Sequence, residues 1–148
     1  MFKYAILFIS LGAVAFIAAQ DNGVPPFLAG APPNVVSSFG ALIQANANKP
    51  DSEIDKAVEA WVATQDASIK TKFADFKKQV HQMNSEAEKA HQAALAKFSP
   101  EAKAADQKMS AIAANGALSP QQKGEQIDAI MKSLPPSVKS EIEKAMQG

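Results

Sequence analysis

The sequence predicts an all-α fold, a small helical bundle arranged on one long central helix, and three observations carry that prediction. From Asp66 to Phe98 there is no Pro or Gly, and Ile69, Phe73, Phe76, Val80, Met83, Ala87, Ala90 and Ala94 recur at alternating steps of four and three. That is a seam of about 3.5 residues per turn on a helix roughly 50 Å long. A short motif also occurs three times in the last third: Phe98-Ser99-Pro100-Glu101-Ala102-Lys103, Leu118-Ser119-Pro120-Gln121-Gln122-Lys123 and Leu134-Pro135-Pro136-Ser137-Val138-Lys139. Its content is a helix start, with Ser at the N-cap and Pro at the first helical position, and Ser119 with Gln122 also fits a capping box. Finally, no stretch alternates with the period of a strand.

Taken in order, Met1–Ala19 reads as a secretory signal: one Lys, an apolar run from Ala5 to Ala18, then small residues before polar Gln20-Asp21-Asn22. Cleavage is expected after Ala19, which leaves no membrane span in the mature protein. Residues 20–32 form a Pro- and Gly-rich leader expected to lack regular structure, with Phe27 and Leu28 packing back onto the body. Residues 33–148 form a single helical domain. Its first helix starts at Pro33 and shows a stripe of Val36, Phe39 and Ile43; Asn46, Asn48 and Pro50 end it. A second begins at Asp51 with Ile54, Val58 and Trp61 on one face. A break near Thr64–Gln65 precedes the long helix, which Asp66 caps. Large side chains fill the first half of the seam and Ala the second, so the latter admits a close neighbour, with the 100–114 helix the favoured cover, or stands partly in solvent. Three short helices follow, near 100–114, 120–133 and 137–147, with Asn115-Gly116 expected to close the first as a C-cap. Their apolar faces are Ala105, Met109 and Ile112; Ile127, Ile130 and Met131; and Val138, Ile142 and Met146.

Composition removes several chemistries. The fifteen basic residues are all Lys, balanced by fifteen acids. Without Arg or a basic excess, nucleic acid is not an expected partner. There is no cysteine, hence no disulfide scaffold, Cys-ligated zinc or thiol nucleophile. The sequence beyond residue 19 has no Asn-x-Ser/Thr acceptor.

The joint order of Ser99-Pro100-Glu101-Ala102-Lys103, Met109-Ser110-Ala111-Ile112, Leu118-Ser119-Pro120, Ile127-Asp128-Ala129-Ile130-Met131 and Leu134-Pro135-Pro136-Ser137-Val138-Lys139-Ser140-Glu141-Ile142-Glu143 resembles the SXP/RAL family of small nematode secreted antigens. With the Trp61 helix, the likeness spans roughly residues 33–145. The resemblance implies a secreted, non-enzymatic helical protein recognised by host antibodies including IgE, in a family that contains food allergens. It also implies a loosely calmodulin-like arrangement without EF-hand loops, and it supplies no catalytic, cofactor or metal residues.

The residues themselves agree with that last point. Asp51-Ser52-Glu53-Ile54-Asp55 lacks the Gly and bidentate Glu of a calcium loop, since Lys56 and Val62 stand at those positions; it reads as a helix start. Glu88-x-x-His91 has di-iron spacing but no second copy, so His81 and His91 are expected at solvated helix edges, and no metal or cofactor is expected. No nucleophile elbow or phosphate loop is present. The remaining candidate is apolar: Trp61, Phe73, Phe76, Val80, Met83, Met109, Ile112 and Met131 are either core, the preferred reading, or the lining of a pocket for a hydrophobic small molecule. The Ala half of the seam is a candidate for self-association.

Overall fold

The computed structural model describes residues 24–147, with side chains to residue 145. The expected signal segment, the first residues of the leader and the side chain of Met146 lie outside that range. Six α-helices follow one 3₁₀ turn: α1 (Pro33–Asn46), α2 (Asp51–Ala63), α3 (Ala67–Leu95), α4 (Pro100–Ala113), α5 (Pro120–Ser133) and α6 (Pro136–Gln147). No strand occurs among the described residues. The fold is all-α.

The leader is more ordered than its Pro content predicts. Pro26–Leu28 forms the 3₁₀ turn, because Pro at its first position fixes φ and Gly30, at φ +79°, reverses the backbone after it. This turn drives Phe27 into the protein at 1% exposure, where its ring meets those of Phe39, Phe73 and Phe76 at centroid distances of 5.3, 5.1 and 5.3 Å. The first two are edge-to-face, the arrangement that ring quadrupoles favour.

Two apolar clusters result. The N-terminal one joins Phe27 and Leu28 to Phe39 and Ile43 of α1, Ile54, Val58 and Val62 of α2, and Ile69, Phe73, Phe76 and Val80 of α3. The C-terminal one joins Phe98 to Ala102, Ala105 and Met109 of α4, Ile127 and Met131 of α5, and Val138 and Ile142 of α6, with Ala94 and Leu95 packed against it. The molecule is therefore two lobes sharing α3, which is continuous through Ser85 over 29 residues, about 44 Å.

Helix caps follow the sequence closely. Asp66 accepts from the Ile69 N–H at 2.9 Å, and Ser119 and Gln122 complete a reciprocal capping box. In each of the three repeated motifs the Lys amide closes the first turn: Lys103 donates to Ser99 O, Lys123 to Ser119 O and Lys139 to Pro135 O. Ser99 has Ala102 where a capping box needs Glu or Gln. Glu141 of α6 supplies the missing carboxylate, accepting from Ser99 N at 2.7 Å and Ser99 Oγ at 2.8 Å. Glu141→Ala should cost about 1–2 kcal/mol by urea denaturation, while Glu141→Gln, which can still accept one of these bonds, should cost less. Equal losses for the two would refute a capping role.

Gly116 departs from its expected part. It does not take the left-handed C-cap conformation, since Gly30 is the positive-φ glycine among the described residues. The carbonyl of Gly116 instead accepts from Ser52 N (3.3 Å) and Ser52 Oγ (3.0 Å), joining the α4–α5 loop to the start of α2.

Candidate functional site

The buried stripe of α3 drifts away from the seam read in the sequence. A straight α-helix turns ~20° per heptad relative to a 3.5 repeat. After Val80 the inward positions are Asn84, Ala87, His91, Ala94 and, just past the helix, Phe98, so the stripe from Ile69 to Phe98 averages about 3.6 residues per step. Met83 and Ala90, both seam residues, are consequently turned outward, with Met83 at 53% exposure. Of the alanines, Ala94 packs on the C-terminal cluster and Ala87 is half-buried.

That drift buries polar chemistry. The His91 side chain, expected at a solvated edge, is only 12% exposed and places Nε2 3.0 Å from Asp106 Oδ2 of α4. Ser110 Oγ donates to the same oxygen at 3.4 Å. Glu88, one turn before His91, accepts from Gln92 through Oε1, while its Oε2 is buried with no hydrogen-bond partner among the described residues. Burial pushes the Asp106 carboxyl above its ordinary value of 3.8; His91 and the Ser110 hydroxyl oppose the rise, and Glu88 adds to it. The folded state thus holds this proton more tightly than the unfolded state does. Asp106 favours folding fully below pH 3.8, and that contribution is lost as pH rises through the raised folded value. Asp106→Asn keeps an acceptor for His91 but never ionises. Its stability should decline less than that of the unmodified protein across this window; an unchanged pH profile would exclude Asp106 as the source.

A second polar contact ties the lobes. Lys123 of α5 reaches Asp51 Oδ2 at 2.5 Å and Ala113 O at 2.7 Å, with the Lys123 and Asp51 side chains 13% and 8% exposed. Asp51 N also donates to Leu118 O at 3.2 Å. The acidic start of α2 thus holds a lysine ammonium and a loop from the other lobe.

The eight apolar candidates do not converge on one place. Phe73, Phe76 and Val80 lie in the N-terminal cluster with Trp61 packed against it, its ring 5.1 Å from that of Phe39. Met109 and Met131 lie in the C-terminal cluster with Ile112 beside them. Met83 stands outside both.

A model of the family described as "SXP/RAL-2 family protein Ani s 5-like, metal-binding domain" matches residues 2–147. The protein is 44% identical over 142 residues to the SXP/RAL-2 family protein Ani s 5 of Anisakis simplex, covering 96% of this sequence and 92% of that one. It is also 44% identical over 127 residues to the OV-17 antigen of Onchocerca volvulus, covering 86% and 77% respectively. No solved structure matches it significantly.

The metal binding mentioned in that description finds no ready-made cage among the described residues. A structural zinc takes about four ligands and calcium roughly six to eight oxygens. Among the described residues, no group of three or more His, Cys, Asp and Glu side chains is placed to hold an ion. The two buried acids among the described residues are already engaged, Asp106 by His91 and Ser110, and Asp51 by Lys123. The buried Glu88 Oε2 is one oxygen, not a ligand set. The described side chains therefore do not fit a preassembled metal centre. From motif order, helical fold and near-complete alignment, the protein belongs to the SXP/RAL-2 family.

Proposed function

We propose that this protein is secreted and acts without catalysis, through contacts made by its helical surface at the boundary between parasite and host. The observation carrying this reading is how its apolar side chains are used. Nearly all the large ones are enclosed in the two clusters, and Val24 and Met83 are the exposed large hydrophobics among the described residues. What faces outward is polar helix, an interaction surface of the kind antibodies bind. The name of the OV-17 antigen is in keeping with that, and antibodies, IgE included, are the expected host partners. The signal pattern of residues 1–19 supports export.

Carriage of a fatty acid or retinoid is the competing reading, and it would require one cluster to open. Native mass spectrometry of protein gently isolated from the worm's culture fluid decides between them. A bare mass beginning at Gln20, unchanged by added fatty acid or retinol, supports the surface reading. A lipid-bearing mass that denaturing extraction removes would replace it with carriage, and a mass that grows with protein concentration would show self-association. Protein found solely inside worm cells would overturn export.

A further inference from the structure

The loop between α4 and α5 begins Asn115-Gly116, and three features of this pair point to chemistry. Asn115 is exposed, and its Oδ1 accepts from the Ala117 N–H at 3.0 Å, which folds the side-chain amide back over the next peptide bond. The Gly116 N–H donates to nothing among the described residues. Gly116 also lacks the Cβ that would shield this nitrogen. Its carbonyl, meanwhile, holds Ser52 of the other lobe through two hydrogen bonds.

We propose that Asn115 is a spontaneous modification site, whose deamidation loosens the connection between the lobes. After the Gly116 amide proton is lost to hydroxide, the nitrogen attacks Asn115 Cγ. A bond forms between that nitrogen and Cγ, the bond from Cγ to Nδ2 breaks, and Nδ2 takes a proton from water and leaves as ammonia, returning the hydroxide and giving a succinimide. Water then opens the ring at one of its two carbonyls, leaving an aspartyl or isoaspartyl linkage at position 115. The sequence is hydrolytic and needs neither oxidant nor reductant. Both products place a carboxylate just past the C-terminus of α4, where the helix dipole disfavours negative charge. The isoaspartyl product also lengthens the backbone by one carbon immediately before Gly116, displacing the carbonyl that Ser52 needs. Asn is among the thermolabile residues, so an exported molecule would accumulate this change with age.

The test is incubation of the full folded protein at mildly alkaline pH, with peptide mapping by mass spectrometry, isoaspartyl methyltransferase labelling and hydrogen exchange at the Asp51 and Ser52 amides. Asn115 should convert several-fold faster than Asn34 and Asn48, and protection at Asp51 and Ser52 should fall in step. Gly116→Ala should slow conversion several-fold with protection retained, because a Cβ there meets Ser52 Cβ at an ordinary 3.8 Å. Peptide mapping separates the other Asn-Gly pair, Asn22-Gly23. Conversion at Asn115 no faster than at Asn34, or conversion with protection at Asp51 and Ser52 unchanged, would overturn the proposal.

Discussion

Phe27→Ala is expected to destabilise the N-terminal lobe by about 3–5 kcal/mol, the usual cost of deleting a buried aromatic ring. The residue sits in what reads as a leader, where substitutions are ordinarily harmless. Here its ring is the shared neighbour of Phe39, Phe73 and Phe76, so its removal leaves a void between the turn, α1 and α3. The lobes give separate signals. Trp61 is the protein's one tryptophan and packs on the N-terminal cluster. In urea, Trp61 fluorescence should move to lower denaturant, while helical circular dichroism splits into two steps, the later one from the C-terminal lobe. A variant whose two signals remain superimposed near the original midpoint would show that Phe27 does not hold that lobe.

Lys123→Met should cost about 3 kcal/mol, since removing one member of a buried ion pair strands the other. Asp51 Oδ1 already lacks a hydrogen-bond partner among the described residues, and Oδ2 would lose its ammonium as well. Combining the change with Asp51→Asn should recover part of the loss, because no charge then remains buried. Losses that simply add would mean that the pair contributes nothing beyond its separate packing. The change also removes a tie between lobes, so thermal unfolding should broaden relative to the parent.

How far the sequence disclosed this molecule depends on how far apart the interacting residues lie. The Asp66 cap, the Ser119–Gln122 box and the break before the long helix are local, and each was readable within a turn. The apolar faces of α2 and α5 were equally plain, as were Phe39 and Ile43 of α1, although it is Val35 rather than Val36 that packs on the cluster beside them. The seam of the long helix was readable only as far as Val80, because a strict 3.5 repeat and a straight helix diverge with every heptad. That divergence brings His91 inward, and nothing near His91 in sequence announces Asp106. Lys123 is 72 residues from Asp51, and Glu141 is 42 from Ser99. Such pairs have no periodicity to betray them. The motif containing Glu141 was recognisable, but its role as a borrowed cap for another helix was not.

Between Val80 and Ala94 the long helix adds no large apolar side chain to either cluster. A protease cutting in that stretch would divide the protein without dividing a hydrophobic core, and each piece would keep its own set of packed helices. The severed halves would stay joined at first by Lys123, Asp51 and Ser52, and would keep folded outer surfaces even after parting. Digestion would then leave much of the molecule's shape intact, in two sizes.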